Sequence, residues 1–112
     1  MKVYIAGPIR IGDRTANIDA ALLAGQTIWE AGHVPFIPHL TLFWEDQFPR
    51  DPVECLRYDI HWLAECDALV RLPGPSAGSE LEIAVANVLG IPVFYSVKEF
   101  LYAHSPASAP DS

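Results

Sequence analysis

The stretch Ala68-Leu69-Val70-Arg71-Leu72-Pro73-Gly74-Pro75-Ser76-Ala77-Gly78-Ser79-Glu80-Leu81-Glu82 decides the fold. Ala68–Leu72 is a short, largely apolar run closed by a proline, which reads as a buried strand. Pro73 to Gly78 is rich in turn formers, and helical spacing begins at about Ser79 and runs to Leu89, where Gly90 stops it. Strand, loop and helix in this order form one half of a βαβ unit. Ile91–Tyr95 supplies the strand that follows, and Lys98–Tyr102 a short terminal helix.

The same alternation extends towards the N-terminus. Val3–Ala6 is an apolar run closed by Gly7-Pro8, a first strand. After a polar loop, Arg10 to Arg14, the residues Ile18, Ala21, Leu22, Gly25, Ile28 and Trp29 recur at helical spacing, with Thr15 or Asn17 as N-cap and Gly32 as the stop. Val34–Pro38 is a second strand whose prolines place it near the sheet edge. His39 to Arg50 reads as an aromatic-rich loop, and Asp51-Pro52 as an N-cap followed by proline at the first helical position. The pattern predicts an α/β fold: a parallel sheet of four to five strands with helices on both faces.

At 112 residues, the chain is expected to form one domain over residues 1–103, followed by a disordered Ser/Pro/Ala-rich tail, 104–112. The apolar share of 51% favours a globular fold and suggests that part of the surface is buried against a second copy, as a homodimer or higher homo-oligomer. A net charge of −7 argues against a nucleic acid polymer as partner. Cys55 and Cys66 have no metal or redox spacing and read as reduced thiols. No apolar segment has the length of a signal peptide core or a membrane span, which points to the cytoplasm and away from a membrane partner.

In such sheets ligands bind beyond the carboxyl ends of the strands, at the topological switch point. That rule selects three loops: Gly7 to Arg14, His39 to Arg50, and Pro73 to Gly78. The start of the third helix offers free amides and the positive dipole end to an anion. Glu82, placed by this reading in the first helical turn, has two possible roles. Ser79-x-x-Glu82 fits a capping box, in which the glutamate folds back onto its cap; alternatively, Glu82 faces the strand ends as a reactive carboxylate. Arg10 suits a phosphate or a solvated loop. His39 follows the second strand, and Phe43 and Trp44 could stack on a planar base or cover a core. Asp59 lies mid-helix, an exposed charge or a site carboxylate.

Taken together, Gly7-Pro8-Ile9-Arg10 after the first strand, Leu56-Arg57-Tyr58-Asp59 with Trp62-Leu63 and Cys66-Asp67, and Ser76-x-Gly78-x-x-x-Glu82 resemble the nucleoside 2-deoxyribosyltransferase family. The similarity runs in order from Lys2 to about Tyr95. It is closest to the branch of 2'-deoxynucleoside 5'-phosphate N-hydrolases and CMP N-glycosidases.

The resemblance implies a flavodoxin-like fold with no metal and no cofactor. It makes Glu82 the nucleophile that attacks the anomeric carbon of a small nucleotide or nucleoside, Asp59 the group that assists the leaving base, and Tyr4 a third catalytic residue. Substrate would be held by Gly7, Pro8, Ile9, Arg10, His39, Phe43, Trp44, Ser76 and Gly78. Ser76, six positions before Glu82, matches the serine that binds a 5'-phosphate in the hydrolase branch; transferases acting on nucleosides carry a carboxylate there. The hydrolase branch often has serine where Pro8 stands, and the family borrows a phosphate-binding residue from a neighbouring subunit's C-terminal region, for which Ser96 or Ser105 would stand in. The expected activity is N-glycosidic cleavage of a (deoxy)nucleoside 5'-monophosphate. Its alternatives are base exchange by a 2-deoxyribosyltransferase and, from another class, a non-catalytic nucleotide-binding or sensor module.

Overall fold

The computed structural model describes residues 1–104; the tail from Ser105 onward lies outside them. In chain order the elements are β1 (Lys2–Ala6), α1 (Arg14–Glu30), β2 (Val34–Phe36), a 3₁₀ turn (Pro38–Leu40), α2 (Thr41–Gln47), α3 (Pro52–Leu63), β3 (Ala68–Arg71), α4 (Ala77–Leu89), β4 (Val93–Phe94) and α5 (Val97–Ala103). The four strands are all parallel, in the order β2-β1-β3-β4. This is the start of the flavodoxin-like order, with its reversal between β1 and β3. The three-residue β2 lies at an edge, as Pro35 and Pro38 require.

Period-two alternation along β1 builds both layers. Val3 and Ile5 point to one face, where they pack with Val70, with Ala21, Ala24 and Ile28 of α1, and with Phe100 of α5. Tyr4 and Ala6 point to the other, against Leu69, Leu63 of α3, and Ile83 and Ala86 of α4. Each large apolar side chain buried in this way contributes roughly 1.5–3 kcal/mol. β1 and β3 are buried on both faces, so they read as continuous apolar runs.

Four boundaries differ from the sequence reading. α1 is capped by Asp13, whose side chain accepts the Ala16 amide, ahead of Thr15 and Asn17. α4 begins at Ala77 because Ser76 caps it. β4 keeps only Val93 and Phe94. The expected His39–Arg50 loop is largely helical. A seven-residue helix is marginal by itself, and tertiary contacts hold α2: the Thr41 hydroxyl donates to the Pro38 carbonyl at 2.7 Å, and Arg10 and Arg14 pair with Glu45 and Asp46. Both cysteines are free thiols. Among the described residues no helix is long and apolar enough to cross a membrane.

Candidate active site

β1 and β3 lie side by side where the strand order reverses, and the loops at their carboxyl ends part to form a cavity of about 390 Å³. One wall is the β1–α1 loop, Gly7 to Ile11. A second is the first turns of α3, with Pro52, Val53, Cys55, Leu56 and, deeper, Asp59. The third is Pro75 to Ser79 with Glu82. The two loops meet closely at one side. Gly74 has φ +115°, a conformation that favours glycine, and a Cβ there would lie 2.8 Å from Pro8 Cγ; one on Gly7 would lie 3.1 Å from Leu72 Cβ.

Helical periodicity puts both carboxylates inside. Ser79, Glu82, Ile83 and Ala86 form the buried stripe of α4, and Cys55, Asp59 and Leu63 that of α3. Each helix therefore carries an acid at a position where an apolar residue is the norm. Glu82 is 5% exposed and Asp59 7%. The phenol of fully buried Tyr4 donates a hydrogen bond to Glu82 Oε2. Asp59 Oδ1 and Ser79 Oγ are buried with no hydrogen-bond partner among the described residues.

Burial pushes Glu82 up to about 7, against the Tyr4 hydrogen bond and the positive charge of Arg71. Asp59 also rises to about 7, first through burial and then through the charges of Glu82 and Glu45, with Arg10 opposing. The Tyr4 phenol is driven far above its ordinary value by burial and by both carboxylates, so it remains a donor. Two carboxyl groups with such values hold about one proton between them near neutral pH.

The capping box is not formed. Ser76 is the N-cap and accepts the Ser79 amide at 3.1 Å. Glu82 consequently falls in the second turn of α4, not the first, and turns to Tyr4. The expected residues Tyr4, Asp59 and Glu82 come together, and Gly7, Pro8, Ile9, Arg10, Ser76 and Gly78 line the same cavity.

Three expected substrate contacts do not. His39 is fully buried outside the lining, its Nε2 donating to the Pro8 carbonyl at 3.0 Å, and burial lowers its pKa. Its ring props the β1–α1 loop from behind. Phe43 and Trp44 also lie outside the lining, because α2 turns them outward. The Arg14 guanidinium sits 5.7 Å from the Phe43 ring centre, and that of Arg50 sits 3.6 Å from that of Trp44. Ser96 caps α5 by accepting the Glu99 amide, and Ser105 is outside the described residues.

Other residues enter unannounced. Arg71, buried at the end of β3, donates to the Leu72 carbonyl, to the Gly74 carbonyl at 2.9 Å and to Glu80 at 3.2 Å, which fixes the β3–α4 loop. Glu45 of α2 accepts from Arg10 at 2.5 Å. Ser79, read as half of a cap, instead aligns with Glu82 at the i, i+3 spacing. That spacing was visible in the sequence; nothing local marked Glu45. No group of three or more His, Cys, Asp or Glu side chains among the described residues could hold a metal ion.

The architecture is thus a doubly wound α/β domain with an acidic cavity at its switch point. Residues 1–96 match the family described as a domain of unknown function (DUF7768), and the chain belongs to that family. No curated protein sequence matches it. Among solved structures it is similar to a 2-deoxyribosyltransferase from the psychrotolerant bacterium Bacillus psychrosaccharolyticus, with TM-score 0.61 and 21% identity over 83% of this chain and 69% of that one. It is also similar to a 2-deoxyribosyltransferase from Leishmania mexicana, with TM-score 0.63 and 23% identity over 85% of this chain. The chain spans 63% of the length of that second protein. At these identities the likeness establishes the fold.

Proposed function

We propose that the protein is a nucleoside-processing enzyme that cleaves the N-glycosidic bond of a (deoxy)nucleoside 5'-monophosphate through a glycosyl ester on Glu82. The observation that carries this reading is a pair of buried carboxyl groups, Glu82 and Asp59, lining one cavity, with Glu82 held from behind by the Tyr4 phenol. The likeness in fold to two 2-deoxyribosyltransferases supports it.

The chemistry follows from the geometry. Tyr4 aims one carboxylate oxygen of Glu82 and leaves the other for the sugar. The bond from the anomeric carbon to the base nitrogen breaks through an oxocarbenium-like transition state. Its electron pair leaves with the base, which takes the proton of Asp59. Ionised Glu82 stabilises the positive charge and closes the ester. Water, deprotonated by Asp59, then attacks the same carbon, releases the sugar phosphate and regenerates Glu82. The amides at the start of α4, the hydroxyls of Ser76 and Ser79, and Arg10 would hold the phosphate, which anchors the sugar over Glu82.

If a second base resolves the ester instead of water, the product is an exchanged nucleoside or nucleotide, and this outcome has the same structural support. The reading includes a cytoplasmic setting, consistent with the two free thiols, and a homo-oligomer, consistent with exposed apolar residues such as Leu23 and Trp29.

The test incubates the protein with ribo- and deoxyribonucleosides and their monophosphates, with and without a second free base, and follows base release by chromatography. Release from a monophosphate is expected. Glu82→Gln should lower the rate at least about a thousandfold while substrate still binds. No release from any substrate, or an undiminished rate in the variant, overturns the reading. Binding without turnover would indicate a sensor module.

A further inference from the structure

We propose that Glu45 is a positioning residue that acts through Arg10 to set how far the cavity favours an anionic over a neutral substrate. The inference rests on the functional reading above and names a determinant of its substrate class.

Arg10 is the one cationic residue among those lining the cavity. Its side chain is 47% exposed, and one guanidinium nitrogen is committed to Glu45 Oε1 at 2.5 Å. Glu45 does not line the cavity but stands behind Arg10, with its side chain 11% exposed. Polar groups flank it on other sides as well: the Thr41 hydroxyl lies 3.3 Å from Glu45 Oε2, its proton shared with the nearer Pro38 carbonyl, and the Cys55 thiol is close by. Burial disfavours its charge, yet the hydrogen bond and positive charge of Arg10, with the polar groups of Cys55 and Thr41 nearby, hold it below the usual carboxylate range. The pair is therefore ionised on both sides, and towards the cavity it presents a dipole in place of a full positive charge. The remaining guanidinium N–H groups still donate hydrogen bonds to a phosphate, but the net attraction is reduced.

Glu45 also reaches the chemistry. Asp59 faces Glu82 from α4, Glu45 from α2, Arg10 from the β1–α1 loop and Tyr4 from β1. The negative charge of Glu45 favours the protonated form of Asp59, the form that assists a leaving base.

Glu45→Gln keeps the length of the side chain and an acceptor for Arg10 but removes the charge. In this variant α2 keeps its buried Leu42 and its bidentate Arg14–Asp46 pair at 2.8 and 3.0 Å. Glu45→Asn supplies a second neutral variant with the same predicted direction. Calorimetry with a nucleoside and its 5'-monophosphate, in wild type and variants, measures the affinity ratio. The ratio should rise by about tenfold in favour of the monophosphate in Glu45→Gln, and the gain should shrink as salt is added. In turnover the gain should appear in KM, and the alkaline limb of the pH profile should move to lower pH. Asp46→Asn, which loosens α2 without touching Arg10, should leave the ratio unchanged. If wild type binds both ligands and the ratio is unmoved or falls in Glu45→Gln, or if Asp46→Asn raises it equally, the inference is overturned while the functional reading stands. If wild type binds neither, both are overturned.

Discussion

On the β3–α4 side of the cavity, the groups that face the ligand space hang from regular elements. Ser76 is a helix cap, Ser79 and Glu82 share a helical stripe, and Arg71 at the strand end pins the loop between them. On the β2–α2 side the chain supplies support without a surface. His39 braces Pro8, Glu45 braces Arg10, and the outward-turned rings of Phe43 and Trp44 lie beside arginines from neighbouring segments. One flank presents chemistry, and the other holds the first flank's partner loop in place. Aromatic content near such a loop is therefore a poor guide to what lines the cavity, whereas a charged residue in an apolar helical stripe is a good one.

Substitutions can break this contrast. The largest expected effect in kcat after Glu82 itself is at Asp59. Asp59→Asn cannot give up a proton, so kcat should fall about a hundredfold or more, and the alkaline limb of the pH–rate profile should disappear. A profile that keeps that limb would assign it elsewhere. Tyr4→Phe removes the donor that favours the charged form of Glu82. We expect kcat to fall about tenfold and the acid limb to move to higher pH.

Stability should report the same burial. Glu82 and Asp59 both have folded-state values raised to about 7, so the folded chain binds more protons than the unfolded one between the ordinary carboxylate range and neutrality. Their contribution is greatest below about pH 4 and is lost as pH rises towards 7. Glu82→Gln should flatten that slope in denaturant titrations and gain about 1–3 kcal/mol over wild type at pH 8. An unchanged slope would mean that Glu82 is not desolvated. The smallest effect is expected on the supporting flank: Trp44→Ala should change kcat/KM by less than about threefold, measured under the same conditions.

Much of the fold was legible because its signals are local. The apolar runs at Val3–Ala6 and Ala68–Leu72, the prolines of β2, and Asp51-Pro52 at the start of α3 each specify their own neighbourhood. The candidate site was partly legible for the same reason: strand ends and helix starts are sequence features, and they brought Gly7 to Arg10 and Ser76 to Glu82 to one cavity. What escaped depends on partners distant in sequence. α2 is held by Arg10 and Arg14, more than 30 positions away, and no periodicity in Thr41–Gln47 announces them. The Ser79-x-x-Glu82 pattern was misleading because Ser76, three residues earlier, is an equally good cap. Asp59, by contrast, shares the helical spacing of Cys55 and Leu63, a clue present in the sequence itself.

The close approach of Gly74 to Pro8, and of Gly7 to Leu72, bears on how the site can diversify. Along that seam a methyl group on Gly74 would force Pro8 to shift and one on Gly7 would press on Leu72, and shortening a side chain elsewhere would relieve neither. The α3 wall is made of ordinary, trimmable side chains such as Val53 and Leu56. Relatives or engineered variants that accept bulkier or smaller ligands should therefore differ along that wall, while the glycine seam stays constant.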